Sequence, residues 1–298
     1  MNGEKPTLKS TIKAYAYLFP ALIIIIMFSI YPVIRSFLMS FYTDYNFFTD
    51  TVYERGIDNF VYVFNDPNFR IALQNTFKFV IGVVPISILI SLGIAMLLNN
   101  KIKGATIYRS IYFLPFVTSV VAIATVWNWI FHSNYGILNF LLGLIGIEGR
   151  NWITDPDYSM TALVIMSVWR GLGFNIVILL AGLQTVDKGL YLAAKVDGAS
   201  AWHRFLTVTV PMLSPTLFFI SIMSVISSFR VFTEVFALFG GRPGPGNSAL
   251  TVVYYVYQKF YEEWQFGIAS AAATILFAII FMFTMIQMFV GKKLVHYK

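Results

Sequence analysis

Six stretches of the chain are each long and apolar enough to cross a bilayer: Tyr15 to Tyr42, Phe69 to Leu98, Tyr108 to Phe131, Ser159 to Leu183, Val210 to Val231 and Phe266 to Val290. About 20 mostly apolar residues let a helix span the hydrocarbon. In lipid the backbone has no water to bond, so such segments must satisfy their N–H and C=O groups internally, as helices do. The expected fold is all-α: a polytopic membrane protein with six transmembrane helices. Composition agrees, with 12% of the 298 residues charged against about a quarter in soluble domains. Pro20 and Pro32 predict a kink in the first stretch. No small-residue cleavage site follows its apolar run, and Arg35 fits an anchor better than a signal peptide. The expected organisation is a tail at 1–14, a single transmembrane domain at 15–291 and a tail at 292–298.

The charges alternate between the stretches. Three lysines precede the first against Glu4, Lys101, Lys103 and Arg109 follow the second, and Lys292, Lys293 and Lys298 follow the last. The intervening loops are acidic. Residues 44–69 carry Asp44, Asp50, Glu54, Asp58 and Asp66 against Arg55, and loops 132–158 and 232–266 are also net acidic. Basic loops stay in the cytoplasm, so both termini and residues 184–209 are expected there. The net charge of +7 then reflects membrane orientation, and no nucleic-acid partner is implied.

Enzymatic chemistry finds no support. The chain has no cysteine, and no GxxxxGK[ST] phosphate loop with which to bind and hydrolyse ATP. His132, His203 and His296 fall on different faces of this topology, so no shared metal site is expected. No paired carboxylates lie at membrane depth, and "GPGNSA" is no nucleophile elbow.

Between the fourth and fifth stretches, "YLAAKVDGASAWHRF" is too polar to span and too short to bury a core. "KGLYLAAKV" is helix-forming, Asp197-Gly198 is a break signal, and "ASAWHRFLTVTV" resumes a helical pattern with Trp202, Phe205 and Leu206 clustered. Gly198 can take the positive φ that ends a helix, and Asp197 can cap the next one. Residues 187–205 thus predict two short helices at a tight turn. Alanines 193, 194, 199 and 201 keep this knob slim enough for another protein's groove.

"AAKVDGASAWHRFLTVTVPMLSP" resembles the cytoplasmic coupling-loop motif of permease subunits in ATP-binding-cassette importers, with Ala193, Ala194, Asp197, Gly198, Ala199, Phe205 and Pro211 at matching positions. "YLFPALIIIIMFSIYPVIRSFLMSFYTDYN", "ALQNTFKF", "YRSIYFLPFVTSVVAIATVWNWIF" and "WRGLGFNIVILLAGLQ" are similar to the first four spans of the sugar-importer branch. The resemblance implies a sugar or oligosaccharide permease in a bacterial or archaeal inner membrane. It also implies a second permease subunit, an extracytoplasmic solute-binding protein, and two ATPase subunits that bind ATP and Mg; this chain needs no cofactor of its own. The knob, Trp202 included, would couple transport to the ATPases. One position departs: Leu192 stands where the family usually has glutamate. Docking that is more apolar, a contact from Asp187 or Lys188, or a partner permease that keeps the acid would each account for it.

A solute path should show as polar or aromatic residues on one helical face. Ser167, Arg170, Gly171 and Phe174 follow i, i+3, i+4, i+7 in the fourth stretch, and Ser224, Ser227, Ser228 and Val231 do so in the fifth. The resemblance places a substrate pathway along these two spans, although serines and small residues also pack membrane helices together. Arg35, Arg170 and Arg230 are expected to snorkel to headgroups, and Arg230 to pair with Glu234 four residues on. Trp127, Trp129 and Trp152 read as an aromatic belt. "GGRPGPGN" at 240–247 reads as a flexible external turn that contacts the binding protein. A polyol or glycerol phosphate remains an alternative solute. A secondary transporter or channel would want an intramembrane acid for ion coupling or a repeated half, and neither is clear.

Overall fold

The structure is a computed structural model that describes residues 8–100 and 104–294. Lys5, Lys101, Lys103, His296 and Lys298 lie outside the described residues. The chain runs α1 (Leu8–Ile25), a π-helical turn (Ile26–Ile30), α2 (Tyr31–Met39), a hairpin of β1 (Tyr42–Asn46) and β2 (Thr51–Arg55), then α3 (Asp58–Asn65) and α4 (Pro67–Asn99). Next come α5 (Ala105–Val117), α6 (Val120–Ile130), α7 (Ile137–Leu144), α8 (Pro156–Gln184) and α9 (Lys188–Val196). The last part holds α10 (Ala201–Arg204), a π turn (Phe205–Thr209), α11 (Val210–Phe229), α12 (Thr233–Leu238), α13 (Val252–Tyr257), a π turn (Gln258–Glu262) and α14 (Phe266–Leu294).

Five helices are long and apolar enough to span a membrane, and a bent pair makes a sixth candidate. The third stretch is therefore not the continuous helix its hydropathy suggests. It breaks at Thr118 and Ser119, both extended, and α5 and α6 meet at 101°. Pro115 weakens the last turn of α5 by withholding an N–H. The bend lets α6 pack on α12, where Asn128 Nδ2 donates to the Leu238 carbonyl at 3.1 Å.

Prolines shape two other spans without ending them. The π turn at Ile26–Ile30 precedes Pro32, and the one at Phe205–Thr209 precedes Pro211. A proline ring clashes with the carbonyl four residues back, and a widened π turn relieves that clash while keeping the helix apolar outside. The first stretch accommodates Pro32 this way, while Pro20 lies inside α1. Helix already begins at Leu8, inside the expected N-terminal tail, and α14 continues into the expected C-terminal one.

The core lies between α4 and α8, where Phe79, Leu163, Met166, Ile176 and Leu179 are buried. Two glycines of α8 set how closely its neighbours approach. A methyl group on Gly173 would lie 2.3 Å from the Tyr112 carbonyl oxygen of α5, and one on Gly182 would lie 2.6 Å from Thr216 Oγ1 of α11. Close contact between helix backbones replaces the hydrophobic drive that lipid cannot supply. By contrast α1 and α2 have no buried face over their spanning window, and α2 packs against α14. The β1–β2 hairpin, absent from the sequence expectation, pairs antiparallel after α2 and receives a hydrogen bond from Arg35 to Asp50. Arg35 thus has a protein partner in place of the expected headgroup.

Candidate functional site

The knob is built by local chemistry. Asp187 caps α9 by accepting the Gly189 N–H at 2.8 Å. At the other end the Gly198 N–H donates to Lys195 O at 3.1 Å and the Ala199 N–H to Ala194 O at 2.9 Å. Gly198 sits at φ +77. This pair of bonds with a left-handed glycine is the Schellman closure of a helix, and it explains why Asp-Gly-Ala must follow the alanines. The next cap is Ser200, whose Oγ accepts the His203 N–H at 3.2 Å; Asp197, expected in that role, is the last residue of the preceding turn. The second short helix is also not separate. α10, the π turn and α11 form one helical rod, Ala201–Phe229.

Leu192, Val196 and Trp202 are exposed on the knob, Val196 at 87%. Trp202 and Phe205 pack as tilted rings 5.3 Å apart. Lys188, Lys195 and Arg204 line the groove beside them. Ala193, Asp197 and Gly198 are exposed along the turn, with Ala194 and Ala199 half-buried. Tyr191 and Thr209 share a hydroxyl hydrogen bond of 3.0 Å, joining α9 to the π turn.

Inside the bundle, one cavity of about 320 Å³ gathers Ser167, Arg170, Gly171 and Phe174 of α8 with Ser224, Ser227 and Ser228 of α11. Helical periodicity placed each set on one face; packing brings the two faces together. Phe79, Val83 and Ser87 of α4, Phe116 of α5, Asn175, Met223, Val231 and Glu234 complete the lining. Among these, Ser87, Asn175 and Glu234 carried a signal, being polar or charged residues in or beside apolar stretches. Phe116 carried none, since it is one aromatic among many. Its ring stacks on Phe174 at 5.2 Å and 27°. An ideal Cβ on Gly171 would meet nothing within 4 Å, so that position opens to the cavity. Ser167 Oγ and Arg170 Nε are buried without a partner.

Glu234 does not pair with Arg230, which is exposed. Its Oε1 accepts from Arg170 Nη1 at 3.1 Å, with the two side chains 24% and 19% exposed for Arg170 and Glu234. Arg170 therefore does not snorkel. An acid in α12 reaches it because the chain folds back after α11. The expected aromatic belt also divides: Trp129 is exposed, Trp127 packs on Phe131 and Trp169, and Trp152 is buried with Nε1 donating to Asn139 Oδ1 at 2.7 Å.

The segment at 240–247 is no loose turn. Asn75 Nδ2 donates to the carbonyls of Asn247 and Leu250 at 2.9 and 3.1 Å, Ser159 and Ser248 share a hydroxyl bond, and Tyr254 donates to Gly241 O at 2.6 Å. Beyond it, Lys259 Nζ lies 2.7 Å from Glu263 Oε2 and 3.7 Å from Asp66 Oδ2, and Tyr255 donates to Asp66 at 2.8 Å.

Residues 70–295 match the family described as binding-protein-dependent transport system inner membrane component. The chain belongs to this family. It is accordingly a multi-pass inner-membrane subunit of a binding-protein-dependent transport system. It is 35% identical to the lactose transport system permease protein LacF of Rhizobium radiobacter, over 96% of this chain and 98% of the relative. Identity is 31% to the trehalose/maltose transport system permease protein MalF of Thermococcus litoralis, over 93% of each chain. It is 35% to the arabinooligosaccharides transport system permease protein AraP of Halalkalibacterium halodurans, over 92% and 86%. A chain in the crystal structure of a bacterial ABC transporter that imports the acidic polysaccharide alginate superposes with a TM-score of 0.80 at 22% identity, over 97% and 98% of the two chains. That likeness shows a shared fold.

Proposed function

We infer that this family member forms part of the translocation path for a sugar or oligosaccharide in an ATP-driven importer. Its partners are a second permease, two ATPase subunits that hold ATP and Mg, and an extracytoplasmic solute-binding protein. The sugar class is supported by the permeases named above for lactose, trehalose/maltose and arabinooligosaccharides. Paired phenylalanines beside hydroxyl groups suit a solute with an apolar ring face and a polar rim. In this reading the 187–209 end and both termini face the cytoplasm, where basic loops belong.

One observation carries the mechanism. The rod Ala201–Phe229 starts at the knob and ends with Ser224, Ser227 and Ser228 in the cavity wall. A push on the knob by closing ATPases is thus delivered along one helix, without an intervening loop. The π turn at Phe205–Thr209 and Pro215 are its pliable points. The contact surface is mainly apolar, Leu192, Val196 and Trp202, with a basic rim of Lys188, Lys195 and Arg204. Asp187 caps α9 through one carboxylate oxygen.

The test is a photocrosslinker at Val196 in the assembled importer. Capture of an ATPase subunit is expected, together with labelling of a cysteine at that position only after the membrane is permeabilised. Labelling of intact cells from outside would overturn the reading.

A further inference from the structure

The cavity holds one cation and one anion among its described lining residues, Arg170 and Glu234. They come from different elements, α8 and α12, and meet in a single bond of 3.1 Å, Arg170 Nη1 to Glu234 Oε1. The guanidinium is not consumed by that bond. Its Nε is buried without a partner, as is the hydroxyl of Ser167 one helical turn away. These orphaned groups can serve a ligand, because buried polar atoms left unpaired cost free energy until something bonds them.

We propose that the Arg170–Glu234 pair makes this cavity selective for uncharged saccharides over acidic ones. The proposal rests on the sugar-path reading and deepens it. An arginine alone in a partly dry cavity would attract a carboxylate, in a forked geometry that few other side chains match. Glu234 removes that invitation twice. It cancels the formal charge of the lining, and its carboxylate repels a second carboxylate across a cavity of only about 320 Å³. What remains are donors and acceptors of balanced sign: free guanidinium N–H groups, the Glu234 carboxylate, and the hydroxyls of Ser167 and Ser227. Sugar hydroxyls donate and accept at once, so they can satisfy both sides of such a set. A carboxylate only accepts, so at the free guanidinium N–H groups it would sit beside the like charge of Glu234 with no donor of its own to offer it. The Phe116–Phe174 stack adds an apolar surface for a ring face. The volume lies near the lower bound for small-molecule sites, about 300–1,000 Å³, so the repelling charge cannot be avoided by distance.

The experiment measures binding to the complete importer complex in lipid nanodiscs by saturation-transfer NMR, with the solute-binding protein left out so that it cannot preselect. The probes are lactose and maltose, each beside its aldobionic acid, lactobionate and maltobionate. The wild type is expected to favour the neutral member of a pair by at least about 10-fold. Glu234→Gln, which keeps shape and an acceptor while exposing the guanidinium charge, should move the acid-to-neutral ratio toward the acid by about 10-fold or more. The double variant Arg170→Gln with Glu234→Gln should return the preference to the neutral sugar, and it keeps a side-chain hydrogen bond should the single variant assemble poorly. Equal binding of both members by the wild type, or an unchanged ratio in assembled Glu234→Gln, overturns the selectivity and leaves the sugar path standing. Binding of neither member of either pair by the wild type overturns both.

Discussion

The two ends of this bundle are held by opposite means. At one end, residues 231–263 fold back among the helices and are fastened by buried polar bonds: Thr251 Oγ1 to Val231 O at 2.9 Å, the Val252 N–H to Thr76 Oγ1 at 3.0 Å, and the Asp66, Tyr255, Lys259 and Glu263 cluster. At the other end, α9 and α10 have no buried residue and keep their shape through Asp187, Gly198 and Ser200, with Tyr191–Thr209 as a side-chain tie to the rod. Tertiary bonding makes a fixed wall. Local capping makes a piece that is rigid in itself and free to move as a unit. A subunit that transmits a push, as proposed above, needs one of each.

The contrast breaks first at Asp66. Asp66→Ala should destabilise the detergent-solubilised protein by about 2–4 kcal/mol, because it leaves the buried Tyr255 hydroxyl without its acceptor and removes the cap on the Asn68 N–H; a thermal midpoint within a degree of wild type would show the wall does not depend on this cluster. Gly198→Pro should leave that midpoint nearly unmoved yet cut ATP-dependent uptake more than about 10-fold at normal membrane abundance. Proline cannot adopt φ +77 and removes the N–H that bonds Lys195 O. Uptake at wild-type rate would sink the knob as a coupling element. Thr76→Val, which leaves the buried Val252 N–H without an acceptor, should cost about 1–3 kcal/mol in the same melting assay. Ser200→Ala removes the cap of the rod and should cost about 1 kcal/mol, seen as faster amide hydrogen exchange confined to residues 200–205. The smallest effect is on pH. Burial disfavours the Lys259 charge, but bonds to Glu263 and Tyr62 outweigh it and raise its pKa above 10.5. A raised lysine stabilises the fold fully below its unfolded value and loses that contribution only as pH climbs through the folded one. Thermal midpoints should therefore stay flat on its account from about pH 7 to pH 9.

Much of the site was legible along the chain because its chemistry is local or periodic. Gly198 and its alanines carry their own turn, and Ser167, Arg170, Gly171 and Phe174 mark one face of a helix at helical spacing. The Arg170–Glu234 pair was not legible. Arg230 lies four residues from Glu234, and nothing local reveals that a residue 64 positions away lies nearer. The same limit hid the break at Thr118–Ser119, where hydropathy runs on uninterrupted, and the fastening of 240–247, whose glycines and prolines look loose until Asn75 and Ser159 are placed beside them.

Read alone, the chain determined which segments enter lipid, that they are helical, and where a slim turn separates two of them. Hydrocarbon forbids unpaired backbone, and turn chemistry acts within a few residues, so both constraints are written locally. The tertiary structure alone decided which charge meets which, that the third apolar stretch bends by 101°, and that two serine-bearing faces enclose a single cavity. Those outcomes depend on how closely helices approach at Gly173 and Gly182 and on how the chain folds back after α11, distances that no spacing along one strand of sequence encodes.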